Sequence, residues 1–338
     1  MDFELIKKIS EYRAVSGNEM FLIRDIAPEA AREYAIPNKP YADSMGNVVL
    51  FKRGRKSDKV RAVLTHTDEV GFIVKSISDK GYIKFEEVGN FSARGVISKQ
   101  VEIGESAVKG IIGMRAVHVQ KRDERESTAA FKSLYADIGA KSKKAAEKQV
   151  KTGDYINFAT KAKRLTETVI SGKALDRIGV YCVLKAMEKQ PEYDTCYIFA
   201  AQQHTGNRGA MTALEKIDAD EVLIIDTIES ADMGGVKKDE ITAKLHEGAV
   251  IVGMDKRGIA NGEAARALCE SANEHGIQTR IIRSNDESAA GVTGYSYGGR
   301  RAVSLAIPCR YRNTPVALVS MKDIDSALAI TEIYLGNE

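Results

Sequence analysis

The chain is poor in cysteine, in net charge and in long apolar runs, and each shortage removes a class of function. Among its 338 residues the four cysteines, Cys182, Cys196, Cys269 and Cys309, are scattered and form no CxxC pair. Neither a thiol zinc knuckle nor a disulfide framework is indicated, and thiols in apolar contexts fit a reducing cytoplasm. Lys and Arg number 50 against 47 Asp and Glu, for a net charge of +3. That near-balance gives no electrostatic case for a nucleic-acid or anionic-membrane partner. No apolar stretch is long enough to span a bilayer, and the opening "MDFELIKKISEYRAVSG" lacks the pattern of a signal peptide. Internal repeats and low-complexity linkers are also missing. The expectation is a soluble, cytoplasmic protein. What is present, 43% hydrophobic residues, suffices for one large core or two ordinary ones.

Apolar residues at helical spacing (Phe3, Ile6, Ile9, then Phe21, Ile26, Ala30) predict two opening helices over 2–13 and 18–34. Strands follow in "GNVVLFKRG" and "KVRAVLTHTDEVGFIV". From 76 to 161 short β-like runs alternate with Gly and charged turns, interrupted by one short helix near 142–150, whose basic residues read as a solvated face. This stretch is expected to be an inserted β-rich domain with an exposed β-edge, the rest (1–75 and 162–338) a discontinuous α/β domain. After Thr166 helices (178–189, 208–216, 261–275, 323–334) alternate with strands (196–201, 221–227, 277–283, 302–307). That alternation predicts a mainly parallel twisted sheet with helices on both faces.

Chemistry in such folds collects at the carboxyl ends of parallel strands. Histidine is scarce enough, at five residues, to weigh singly. His118 on a β-run and His275 at a helix end read as structural, and His246 sits in a loop without an acidic neighbour. His66 ends a strand, and Asp68, two residues on, points to the same side, an arrangement in which a carboxylate orients an imidazole ligand. A polar strand end explains the pair equally well. Asp176 in "GKALDRIG" reads as a helix N-cap acid or as a site residue, and Asp226, closing "EVLIID", as a turn residue or a site residue. Gln203 and His204 in "AAQQHTGNRGA" follow an apolar strand, before a Gly-x-Arg-Gly turn. Arg300 and Arg301, before the last strand, are candidates for an anionic group or simply part of a loop.

Taken in order, "HTDEVGFIV", "DIGAKSKKAAEKQVKTGD", "GKALDRIG", "QQHTGNRGA", "LIIDT" and "IPCRYRNTP" resemble the tetrahedral dinuclear-metal aminopeptidases, also called glutamyl or deblocking aminopeptidases. The resemblance spans essentially the whole chain. It implies a zinc-exopeptidase-like fold, release of amino-terminal residues from peptides, and two zinc or cobalt ions bridged by one aspartate. It also implies dimers formed through the inserted domain, assembled into a hollow dodecamer. The first ion's ligands correspond to His66, Asp176 and Asp226, with Asp68 as the acid behind the histidine.

Around the second ion the sequence departs from the family pattern. Gln203 stands where the general base is expected, and a carboxamide cannot take a proton from water near neutral pH. His204 replaces a carboxylate ligand and brings no negative charge. Asn313 stands for the last histidine ligand, and an amide oxygen binds zinc weakly. The turn "LDR" is shorter than the family's, so either Asp176 or the backbone around Leu175 takes the bridging position. The implied protein holds one divalent ion or none, with weak or lost turnover. The other reading is a non-catalytic binding or assembly homologue.

Overall fold

Runs of Val, Ile and Leu build the centre of the molecule, and their period-two alternation divides its core. The computed structural model describes residues 2–336 apart from 35, 37–38, 121–128, 238–239, 288, 290 and 292–298. The early strands are β1 (Tyr41–Ala42), β2 (Val48–Lys52), β3 (Lys56–His66), β4 (Gly71–Ile77), β5 (Ile83–Val88), β6 (Gln100–Ile103), β7 (Val108–Met114), β8 (Leu134–Asp137) and β9 (Tyr155–Phe158). Those that follow are β10 (Lys163–Arg164), β11 (Val169–Gly172), β12 (Tyr193–Ala200), β13 (Glu221–Glu229), β14 (Val250–Met254), β15 (Ile281–Arg283), β16 (Arg301–Arg310) and β17 (Ala317–Ser320). Helices are α1 (Phe3–Glu11), α2 (Ala27–Glu33), α3 (Lys143–Glu147), α4 (Gly179–Ala186), α5 (Arg208–Lys216), α6 (Gly262–Glu274) and α7 (Met321–Leu335).

An 11-stranded sheet has the order β1-β2-β12-β3-β13-β16-β17-β11-β10, with β14 and β15 branching from β16. Its middle, β12-β3-β13-β16, is parallel. The flanks are antiparallel, so the α/β fold is present with a mixed sheet. Strands β11, β14 and β17 escape a reading from periodicity because each is only four or five residues long. Odd residues such as Val63, Tyr197, Phe199, Leu223 and Ile225 face the layer holding α1, α2, α4, α6 and α7. Even residues such as Leu64, Ile198, Val222 and Ile224 face α5. Helices on both faces follow directly from that alternation.

The inserted unit is a closed barrel, β4-β5-β8-β7-β6-β9. Its first strand starts at Gly71, ahead of the boundary drawn at 76. Its core is mostly Val, Ile and Ala around a cluster of phenylalanines, in which Phe72 lies at ring-centroid distances of 4.3 Å from Phe85 and 5.3 Å from Phe91. Closure pairs every barrel strand on both sides, so the exposed edge expected from the sequence is absent among the described residues. The basic helix is shorter than expected, α3, capped by the Ser142 hydroxyl, which accepts from Ala145 N. Arg300 is engaged with Asp218 (2.8 Å) and the carbonyls of Ala219 and Ile217, and Arg301 with Glu263 (3.3 Å). Much of the loop before them lies outside the described residues.

Two buried cations join the amino-terminal segment to the sheet edge. Lys173 Nζ donates to Glu69 Oε1 (2.8 Å) and to the Tyr12 carbonyl (2.9 Å). The Arg177 guanidinium, wholly buried, donates to the carbonyls of Ser10, Tyr12 and Thr67. Replacing Lys173 with Met leaves the Glu69 carboxylate buried beside Arg177 alone. Chemical unfolding is expected to register a loss of about 3–5 kcal/mol; a loss below about 1 kcal/mol would show that the pair does not hold this edge together.

Candidate metal centre

The parallel strands end on one side of the sheet, and the residues that close them meet there. Register sets His66 opposite Ala200, Thr65 opposite Ile225 and Asp226 opposite Ala306. His66 closes β3, Gln203 and His204 follow β12, and Asp226 lies near the end of β13. Arg312 and Asn313 occupy the turn after β16, and Asp176 arrives on a short 3-10 turn, Leu175–Arg177, after β11. This backbone is strained. Ala174, Gln202, Asn207, Tyr311 and Asn313 all have φ between 49° and 58°, the left-handed region that side chains other than Gly, Asn and Asp rarely adopt. Such strain gathers at functional sites. Gly209 is required for a different reason: a Cβ there would stand 2.1 Å from the Ala201 carbonyl oxygen.

His66, Asp68, Asp176 and Asp226 are all buried. His66 Nδ1 lies 3.4 Å from Asp68 Oδ1, and Nε2 lies 3.6 Å from Asp226 Oδ1 and 3.0 Å from the Asp176 carbonyl oxygen. Asp68 Oδ2 accepts from Ser16 Oγ (2.5 Å) and from the His204 backbone N–H (2.9 Å). His204 Nε2 stands 2.9 Å from Asp176 Oδ2, and neither atom has another hydrogen-bond partner. His66 Nδ1 and Asp68 Oδ1 also lack a hydrogen-bond partner. His66, Asp176 and His204 offer ligand atoms that all lie within 4.8 Å of one another. Buried lone pairs that converge without hydrogen bonds are what a cation site needs, because leaving them unpaired is costly.

Charge is arranged to match. Burial opposes an imidazolium at His66, but Asp226 and Asp68 outweigh it and push its pKa up to about 10. The same carboxylates would favour a metal cation in the proton's place, since ligation needs the neutral ring. Burial alone would raise the carboxyls, yet His204 and His66 hold Asp68 and Asp176 below the usual range. Arg312, with His66, does the same for Asp226. Both oxygens of Asp226 are already engaged. Oδ2 accepts from Gln203 Nε2 (2.9 Å), and Oδ1 from Thr227 N (2.6 Å) and Arg312 Nη2 (3.2 Å).

Of the residues singled out from the sequence, His66, Asp68, Asp176, Gln203, His204 and Asp226 therefore form one cluster. Asn313 lines a small cavity with Asp176, Glu69 and Phe158 that is roughly large enough for one water. Its Oδ1 is buried without a partner. His246 does have an acidic neighbour, since its backbone N–H donates to Asp323 Oδ2 (2.9 Å). His118 lies on a 3-10 turn rather than a strand.

Arg312 and Glu19 were not legible beforehand. Arg312 reads as one more polar residue in "IPCRYRNTP", and Glu19 as an exposed helix acid. Glu19 is 5% exposed and accepts from Gly17 N (2.8 Å) and Gln202 N (2.9 Å). Burial, and then Asp68, push its carboxyl up to about 7 from an ordinary 4.5. A carboxyl raised on folding contributes stability fully present below its unfolded pKa and lost as pH rises through 7. Glu19→Gln is therefore expected to lose less stability than the unmodified chain between pH 5 and pH 8, by on the order of 2 kcal/mol in urea unfolding. Parallel pH profiles for the two proteins would refute the assignment.

Comparison with known proteins agrees with this geometry. The profile described as M42 glutamyl aminopeptidase matches residues 46–330. FrvX of Escherichia coli K12, named as an aminopeptidase, is 30% identical over 99% of this chain and 95% of its own. The lysyl aminopeptidase of Pyrococcus furiosus is 28% identical over 98% and 93%. Among solved structures, the TET aminopeptidase from the marine sediment archaeon Thaumarchaeota archaeon SCGC AB-539-E09 superposes with a TM-score of 0.93 at 28% identity, covering 98% of this chain and 95% of its own. PhTET1-12s, described as a dodecamer, has a TM-score of 0.85 at 24% identity over 99% of both chains. An M18-family aminopeptidase from Thermotoga maritima shares the fold at 13% identity, with a TM-score of 0.77 over 99% and 96%. A full-length match of this kind, on a strand-end cluster of histidine and aspartate, means that the chain belongs to the M42 glutamyl aminopeptidase family.

Proposed function

We propose that this chain is a metal-binding member of its aminopeptidase family in which release of amino-terminal residues by the family route is weak or lost. Position 203 carries the reading. Where the resemblance calls for a carboxylate base, Gln203 has a carboxamide that donates its Nε2 hydrogen to Asp226 Oδ2 at 2.9 Å. An amide has no useful proton affinity near neutral pH, and here its nitrogen is turned to Asp226 as a donor. Loss of a positioned base typically slows a reaction by about a hundred- to ten-thousand-fold.

The donor set supports one divalent ion, zinc or cobalt. Two imidazoles and a carboxylate, His66, His204 and Asp176, match the ligand chemistry of such ions and leave a coordination position open. Asp68 is placed to fix the ring of His66 from its far side. Asn313 could add only a weak oxygen donor. Asp226, the third first-site ligand expected from the sequence, instead holds Gln203 and Arg312 in place. When bound, a divalent ion polarises a carbonyl and makes water more acidic. With Gln203 in place of a carboxylate, the family's base position holds no group that can take that proton, which leaves His204 as substitute ligand or as base.

The carboxamide held on Asp226 in the base position also fits a second reading: a binding or assembly subunit without turnover. Both readings include a homo-oligomer, by analogy with the dodecameric PhTET1-12s.

Metal analysis of the purified protein is expected to give about one zinc or cobalt per chain, lost in Asp176→Ala and in His204→Ala. On a panel of aminoacyl chromogenic substrates with added metal, the triple variant Gln203→Glu, His204→Glu and Asn313→His is expected to exceed the unmodified protein by about a hundredfold or more. Robust turnover by the unmodified protein, abolished by Asp176→Ala, would overturn the weak-or-lost reading. Light scattering should report a discrete multiple of the chain mass, and a monomer at micromolar concentration would contradict the oligomer.

A further inference from the structure

The ligand-capable side chains of this site fall into two groups. Asp176 Oδ2 and His204 Nε2 face each other at 2.9 Å and have no other hydrogen-bond partner, and the His66 ring stands beside them. Asp226 already accepts from Gln203, Thr227 and Arg312, and carries the guanidinium's charge on Oδ1. Arg312 is itself immobilised. Its side chain is 8% exposed, its Nε donates to Thr227 Oγ1 at 2.8 Å and its Nη1 stands 3.9 Å from Asp286 Oδ2. Its backbone N–H donates to Glu229 Oε2 at 3.0 Å. The guanidinium thus rests between two carboxylates, on the only one of the expected first-site ligands that the histidine–aspartate cluster leaves out.

A guanidinium and a divalent metal ion compete for the same carboxylate oxygens. The guanidinium cannot vacate by losing its proton, because arginine stays charged in proteins. We propose that Arg312 is a fixed internal cation that holds Asp226 out of metal coordination and takes the place of a second ion. The inference rests on the metal-site reading above and adds to it a reason for single occupancy. Charge agrees in sign: the Arg312 guanidinium already offsets one of the three buried carboxylates Asp68, Asp176 and Asp226, and so lessens the pull of the cluster on a second cation.

The test is a metal-binding cycle on the full-length chain, with cobalt and zinc titrated by calorimetry and metal per chain counted after gel filtration. The proteins are the unmodified chain, Arg312→Met, Asp226→Asn and the double variant. The unmodified chain is expected to take up one ion. Arg312→Met is expected to gain a second equivalent, or to bind the first at least about tenfold more tightly, because Asp226 is released. Asp226→Asn alone removes one negative charge and is expected to weaken binding of the first ion while keeping one per chain, and added to Arg312→Met it should cancel the gain, as a coupled pair requires. Equal stoichiometry and affinity in Arg312→Met and the unmodified chain would overturn this inference and leave the metal site standing. Loss of uptake in Asp226→Asn alone would also overturn it, because Asp226 would then be a ligand already. Absence of uptake in all four proteins would remove the metal reading and this inference together. Uptake by Arg312→Met but not by the unmodified chain would support it. Should Arg312→Met fail to fold, Asp226→Asn still decides.

Discussion

Everything at this site depends on two cations buried away from it. Lys173 and Arg177 flank Asp176, and between them they hold Glu69 and the carbonyls of Ser10, Tyr12 and Thr67. The amino-terminal segment, the loop after β3 and the turn after β11 are thereby tied into one piece. That tie sets Asp176 facing His66, since His66 ends β3 and Asp176 sits on the turn after β11, and these two strands are not neighbours in the sheet. Desolvating both cations is costly and is offset only because nearly every donor is satisfied. The position of one carboxylate is thus set by charges that take no part in its chemistry.

The sequence was legible where physics is periodic. Alternation along β3, β12 and β13, helical spacing in α1 and α6, and polar residues at strand ends sufficed for the α/β fold and for the strand-end residues His66, Asp226, Gln203 and His204. Asp176, Asp68 and Asn313 drew their roles from the resemblance as much as from spacing. Four- and five-residue strands such as β11, β14 and β17 were not legible, since a run that short carries no period. Arg312 and Glu19 escaped notice for another reason. Their roles come from burial beside particular carboxylates, and burial of a charged side chain leaves no mark on the sequence around it.

The departures from the family pattern are mutually consistent in space. Gln203 supplies the hydrogen that one oxygen of Asp226 needs, and Arg312 supplies the charge that the other oxygen needs. His204 meets Asp176 in the position from which a glutamate would have repelled it. A carboxylate at 203 would face Asp226 directly, like charge against like charge. The cluster therefore balances as a whole, and single reversions within it meet resistance from their neighbours.

The left-handed residues around the site have a consequence for stability. Ala174, Gln202 and Tyr311 each store conformational energy, on the order of 1–2 kcal/mol apiece, whereas Asn207 and Asn313 tolerate that region. Together the first three are a sizeable part of the net stability of an ordinary domain. This rim behaves as a cocked spring, its tension carried by the sheet behind it. Glycines substituted there would relax the chain and surrender the angles at which Asp176, Gln203 and Arg312 now meet.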